Sequence, residues 1–251
     1  MEQMVVTPFY LDWTFWAVVI AAIAVILSQL PPLYNLIKRA KLDLELFSRF
    51  HITHKVGNPN VQLHMILTNL GGRSVRIKGV SLTIKRDGED LAVLPAQTYY
   101  QNQGDTGTVL FTSFELKSKE EWAHTVTFLN YFDRPDEKRY RNSESLIKKN
   151  IAEKRQLLKN KDRIIKADSK YVKEFIKMFD EKFIWYPGEY ELHISVTTSE
   201  NKTNISKVRR FTLFESDSNV LSNYKNDYKT GDGIFWESGK LSGIILPIVE
   251  A

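Results

Sequence analysis

The sequence predicts a mainly β protein: an antiparallel β-sandwich with a helical insertion and an N-terminal transmembrane helix. Three observations predict it. Apolar and polar residues alternate through much of residues 42–132 and 188–215, the period of half-buried strands. Between them, over residues 133–187, the period becomes that of a helix. Ahead of both, an uncharged stretch runs from Trp13 to Ile37 and is followed at once by Lys38, Arg39 and Lys41.

The uncharged stretch comes first. A helix crossing about 30 Å of hydrocarbon needs about 20 apolar residues, which places the span at residues 13–34. Trp13 and Trp16 at its start and Tyr34 at its end suit the headgroup level, where amphipathic rings settle. A cleaved signal peptide would begin with positive charge, whereas residues 1–12 hold Glu2 and Asp12 and no Lys or Arg. Cytoplasmic flanks are the ones enriched in Lys and Arg. The expectation is therefore a short outside N-terminus (1–12) and a basic juxtamembrane segment (35–41). The rest of the chain is expected on the cytoplasmic side of an inner (plasma) membrane. The membrane-interface residues are Trp13, Trp16, Tyr34, Lys38, Arg39 and Lys41. Pro31-Pro32 should stop or kink the helix. Leu33, Leu36, Ile37 and Ala40 beyond it fit either a short interfacial turn or a plain linker.

The strands follow. Leu42, Leu44, Leu46, Phe50 and Ile52 share one face, and Gly57-Asn-Pro-Asn60 reads as a turn. Val61, Leu63, Met65 and Leu67 form the next run. In the third, Val75 and Ile77 hold odd positions but Val80, Leu82 and Ile84 even ones, so the phase slips at Gly79 as at a β-bulge. Asp87-Gly88 is a hairpin signal. Further runs cover about 106–116, 122–132, 188–196 and 208–214.

Pro187-Gly-Glu-Tyr-Glu-Leu-His-Ile-Ser-Val196 resembles the penultimate strand of immunoglobulin-like domains, and Leu67-Thr-Asn-Leu-Gly-Gly72 is similar to a turn of bacterial immunoglobulin-like modules. The resemblance implies an immunoglobulin-like sandwich in a bacterial membrane-anchored protein, with Tyr190 in the tyrosine corner. The chain departs from antibody-type domains in having no cysteine. A fold-level likeness of this kind implies no specific activity.

In the insertion, Ile151, Leu158, Ile165, Val172 and Phe179 repeat every seven residues, with Leu157, Ile164, Tyr171 and Met178 beside them. They make one apolar stripe on one helix, or on two broken near residues 166–169, where Asp168 or Ser169 could cap the second. From Arg134 to Lys182 there are 16 Lys plus Arg against 9 Asp plus Glu, a net of +7 in a chain of net +5. The stripe packs on the sandwich or folds into a helical hairpin, mates with another chain as a coiled coil, or presents its cations to phosphate. Arg139-Tyr-Arg141 is too slight to specify nucleic acid. The tail, residues 216–251, carries Gly233-Ile-Phe-Trp236 and Gly243-Ile-Ile-Leu-Pro-Ile-Val249, which either add an edge strand or form an apolar peptide for a partner. The candidate partner surface comprises Ile151, Leu158, Ile165, Val172, Phe179, Phe235 and Trp236.

Catalytic signals are weak. The absence of cysteine excludes a thiol nucleophile and thiolate-ligated metal. His51 and His54, three apart on a strand, point to opposite faces and cannot share a metal. Ser145-Leu-Ile-Lys148, Ser216-Asp-Ser-Asn219 and Lys229-Thr-Gly231 imitate the motifs of penicillin-recognising serine enzymes, but in the wrong structural context. The expected protein is a single-pass, membrane-tethered, non-enzymatic binding or scaffolding module without cofactors. Its expected partners are membrane lipid and an unidentified protein or a second copy. The alternatives are a membrane-anchored oligomeric effector or sensor subunit of a multi-component, stress- or defence-type system, and an envelope protein with the sandwich outside.

Overall fold

Alternating burial runs through the strands and builds the core. In a computed structural model that describes residues 8, 10, 12–29, 39–102, 104–157, 164–236 and 243–250, the chain begins with helix α1 (Trp13–Gln29). Seven strands follow: β1 (Leu42–Lys55), β2 (Asn58–Asn69), β3 (Val75–Arg86), β4 (Glu89–Tyr100), β5 (Val109–Leu110), β6 (Phe114–Leu116) and β7 (Glu121–Leu129). Helices α2 (Arg134–Leu157) and α3 (Ser169–Lys182) come next, then β8 (Gly188–Thr198), β9 (Ile205–Leu213) and α4 (Glu215–Asn223). A 3-10 helix (Tyr224–Thr230) leads to the last strands, β10 (Ile244–Pro247) and β11 (Val249–Glu250).

Every strand pairing is antiparallel, in the order β10-β1-β2-β7-β4-β3-β8-β9-β11, with β5 on β4 and β6 on β3. β4 belongs to both halves of this system. Its first part, to Pro95, pairs with β3, and from Ala96 it pairs with β7. On the opposite side β10 lies on β1 and β11 on β9, so residues 244–250 bridge the two free edges. The sheet is thereby nearly closed, like a barrel. Closing both sides leaves little unpaired edge to recruit other chains.

The period-two reading of the strands holds in detail. On β2 the odd residues from Pro59 to Asn69 are buried, and Val61, Leu63, Met65 and Leu67 are fully so. On β3 the register against β8 shifts between Ile77 and Gly79, and Val75 and Ile77 before the slip are buried along with Val80, Leu82 and Ile84 after it. Asp87 and Gly88 take φ 53° and 84°, the left-handed pair of a tight hairpin. One turn sits earlier than expected. Val56 and Gly57 make it, at φ 50° and 81°, and Asn58-Pro-Asn60 already belongs to β2. Val56 accepts a conformation unusual for a β-branched residue because its side chain is buried.

The Tyr190 hydroxyl, at the start of β8, donates to the carbonyls of Tyr186 (2.6 Å) and Ile184 (2.8 Å). Its ring stacks on Phe211, which meets Phe50 edge-on, both at 4.9 Å, and so ties β8 through β9 to β1.

The insertion is an antiparallel helical pair. Arg139 of α2 bonds Glu174 (2.8 Å) and Glu181 (3.0 Å) of α3, and Lys154 at the far end of α2 bonds Asp168 (2.6 Å). Asp168 occupies the N-cap position of α3 without a capping bond; its carboxylate takes Lys154 and Asn150 instead. Most of the stripe faces inward, which corrects its assignment as a partner surface; Leu157 and Ile164 beside it stay exposed. Ile151, Ile165, Val172 and Phe179 are all buried, with Ile147, Phe175 and Met178, against Tyr140, Tyr224, Tyr228 and Ile234. An amphipathic stripe needs an apolar cover, and the 216–236 segment supplies it, so that segment is structural rather than a loose tail. Leu158 lies outside the described residues. The pair caps one end of the sheet: the Phe179 carbonyl lies so close to Gly57 that a Cβ there would come within 2.5 Å.

Of the segment expected to span a membrane, only part is described. Residues 13–29 are helical, while 30–34, including Tyr34, lie outside the described residues, as does Lys38. Among the described residues, no helix is long and apolar enough to cross a membrane.

Candidate functional site: a polar cleft on β1, β2 and β7

A bulge builds the cleft. Between Leu46 and Phe50 of β1 the register against β2 slips, Leu46 facing Met65 and Phe50 facing Leu63. The two extra residues turn Phe47, Ser48 and Arg49 outward, all exposed. The Ser48 carbonyl accepts the Ile248 N–H at 2.9 Å. Beside this bulge opens a cleft of about 640 Å³, walled by β1, β2, β7 and the connection after β4.

Its polar groups come from several elements. His51 and Gln62 are register partners on β1 and β2, and His64 faces Thr125 across β2 and β7, their side chains 3.2 Å apart. Phe47 stands edge-on to the His64 ring at 6.4 Å. Gln62 Nε2 donates to the Tyr100 hydroxyl at 3.5 Å, and His124 Nδ1 lies 3.1 Å from the Tyr100 carbonyl. Asp105 receives the backbone N–H of Asn102 at 2.8 Å, and both residues line one side. A second hollow of about 300 Å³ adjoins through Gln101 and His124, walled by Tyr99, Phe114 and Trp122.

His51 is the most constrained member. A Cβ on Gly243 would come within 2.2 Å of its Nε2, and its Nδ1 is buried without a hydrogen-bond partner among the described residues. Burial pushes its pKa below the usual value, so the ring is neutral at pH 7. The cleft thus offers amide, hydroxyl and imidazole groups, the Arg49 guanidinium and aromatic edges. Such a set suits recognition by hydrogen bonding and stacking. His51 and His54 do fall on opposite faces, His51 in the cleft and His54 in the core. Among the described residues no group of three or more His, Asp or Glu is arranged to hold a metal.

The residues singled out from the sequence fall elsewhere. Trp13 is 88% exposed on α1, and the Trp16 indole donates to the Tyr10 carbonyl. Arg39 and Lys41 are exposed just before β1, where the Lys41 carbonyl accepts the Leu70 N–H at 2.7 Å. Phe235 is half-buried under the Lys148 ammonium, and Trp236 is exposed with its indole on the Thr230 carbonyl. None of these meets the cleft. Its residues sit in the outward phase of β1 and β2 and on β7, which the hydrophobic pattern leaves unread; the available signal was the recurrence of histidine at 51, 64 and 124.

Fold and cleft together define a mainly antiparallel β domain with a helical cap and an open cleft whose mostly apolar lining carries a few polar side chains. No protein-family model matches the chain, and no curated protein matches it in sequence.

Proposed function

We propose that the chain is a single-pass, membrane-tethered, non-enzymatic binding module that holds an immunoglobulin-like domain at the cytoplasmic face of an inner membrane. One observation carries the reading: α1 has no charged residue over 17 positions, and its side chains are exposed on all sides, from Val18 at 68% to Ile26 at 60%. A helix apolar all round needs lipid or protein around it. At 1.5 Å per residue α1 reaches about 26 Å, short of the roughly 30 Å core. The anchor therefore requires either that residues 30–34 extend the span or that the bilayer thins locally.

The immunoglobulin-like reading draws support from the strand order. β1, β2, β7 and the second part of β4 form one group, and the first part of β4 with β3, β8 and β9 the other, the arrangement expected of such a sandwich. The Tyr190 hydroxyl bonding back to residues 184 and 186 is a second support. The recognition surface is the cleft with exposed Phe47 at its mouth. Most of the helical stripe is buried within the chain, with Leu157 and Ile164 left exposed, and assembly through it is not proposed.

Alkaline extraction of membranes carrying the full chain tests the tether, and protease treatment of sealed vesicles tests the side. Retention in the pellet and digestion only from the cytoplasmic face are expected. Release by alkali would overturn the anchor, and digestion from the outer face would overturn the orientation.

A further inference from the structure

The end of the domain that receives the chain from α1 has a composition unlike the rest of the surface. Two backbone hydrogen bonds, one hydrogen bond from a side chain and one close approach gather three segments there. The Leu70 N–H donates to the Lys41 carbonyl at 2.7 Å, and the Lys119 N–H to the Asn69 carbonyl at 2.8 Å. The Ser118 hydroxyl donates to the Gly71 carbonyl at 2.7 Å. A Cβ on Gly71 would come within 2.3 Å of the Arg39 carbonyl, so these segments lie in contact. Asn69 locks the turn from inside, its amide donating to the carbonyls of Arg73 and Leu116.

At the tip of this locked platform stands Leu70, 52% exposed. Around it are the exposed side chains of Arg39, Lys41, Arg73, Lys117 and Lys119, with Lys202 from the β8–β9 connection at the same end of the strands. Among the described residues, Arg39, Lys41, Lys117, Lys119 and Lys202 form no ion pair. The exposed carboxylates nearby are Glu120, one of whose oxygens accepts the Lys117 N–H, Glu121 and Glu200. The helical pair behaves differently: most of its cations near the seam are paired, as Arg139, Lys154 and Lys182 are. It also lies at the opposite end of β1, a strand of 14 residues or about 45 Å. That is many screening lengths from the platform, so its charge cannot substitute.

We infer that this platform seats on an anionic bilayer surface, with Leu70 entering the headgroup layer and the Arg39, Lys41, Lys117 and Lys119 cations meeting lipid phosphate. The inference rests on the anchor reading above, because α1 delivers the chain to this end. It makes the domain an oriented body rather than a freely swinging one. An apolar tip ringed by cations is the combination that interfacial binding requires, and each such cation strengthens binding to anionic lipid by roughly fivefold.

The chain has no cysteine, so single labels are clean. Leu70→Cys and, at the far end, Lys149→Cys full-length chains carry an environment-sensitive fluorophore on vesicles of phosphatidylcholine alone or with phosphatidylglycerol. The label at 70 should shift to the blue on anionic vesicles only, and the label at 149 should not move on either. High salt or Lys41→Ala with Lys119→Ala should return it toward the solvent value. A solvent-like label at 70 on anionic vesicles, in a chain that resists alkaline extraction, would overturn the inference and leave the anchor standing. The same result with the platform retained by duplex DNA would assign the patch to nucleic acid and overturn it equally. Extraction by alkali would remove the anchor reading, while a blue shift at 70 in that case would still support the platform.

Discussion

Ile248 donates its backbone N–H to the carbonyl of Ser48 at 2.9 Å, joining the last strand pair to the bulge of the first strand. The bond sits between β10 on β1 and β11 on β9, where the sheet would otherwise be open. Leu246 and Ile248 turn inward and are buried, whereas Ile245 is 66% exposed. Leu246→Ala and Ile248→Ala should each lower unfolding stability by about 2–5 kcal/mol. Ile245→Ala should change it by less than about 0.5 kcal/mol. Urea denaturation of the three variants checks the contrast.

Tyr190→Phe keeps the ring on Phe211 but strips the hydroxyl from the Tyr186 and Ile184 carbonyls. Losing hydrogen bonds to buried groups should cost about 1–3 kcal/mol. Equal denaturation midpoints for variant and parent would mean that water replaces the hydroxyl freely.

Gly57 has φ 81°, and a Cβ there would come within 2.5 Å of the Phe179 carbonyl. Gly57→Ala combines a left-handed strain with a backbone clash against α3, so it should destabilise by at least about 1–3 kcal/mol. Gly88, at φ 84° with open space around it, should suffer the strain alone, and Gly88→Ala should be the milder of the two by thermal unfolding.

His54 gives the domain a pH dependence. Its Nδ1 accepts the Gly57 N–H at 3.1 Å and its Nε2 lies 2.9 Å from the Leu221 carbonyl, so the ring is neutral with the proton on Nε2. Burial holds its pKa below 6.5, opposed in part by the Leu221 carbonyl. The unfolded chain therefore binds a proton near pH 6.5 that the folded chain refuses. Stability should be full above that pH and should fall as pH drops below it toward the folded value. His51, depressed by burial in the same direction, adds to the slope. Urea midpoints at pH 7.5 and 5.5 should differ, and by less in His54→Phe. The paired carboxylates Asp136, Asp168 and Glu181, whose pKa values are lowered mainly by hydrogen bonds from Lys182, Lys154 and Arg139, act only below about pH 4.5.

Strand periodicity survives folding because one face of each strand is buried, and any slip would expose it. That is why β2 and the bulge at Gly79 were legible down to the residue. Amphipathicity, by contrast, states that a stripe needs a cover but not which one. Phe179 signalled an apolar face equally well for a coiled coil and for the Tyr228 ring that meets it edge-on within the chain. The tail was legible as an apolar run, yet its division between two edges depends on the separation of β1 and β9 in space. The cleft was hidden for another reason. Arg49, His51 and His64 are polar residues in outward phase, and solvation explains each one singly; only the β1 bulge and the β1–β2 register gather them.

The pairing of β10 with β1 also sets an order in time. Residues 42–55 leave the ribosome early, while residues 244–250, which seal their edge, follow far later in the chain. Until then the outer edge of β1 is a row of backbone donors and acceptors with no neighbour among the described strands. This long-range pairing therefore cannot form until residues 244–247 have been made, and a chain stalled or clipped short of residue 243 would carry an open strand edge prone to pairing with another copy.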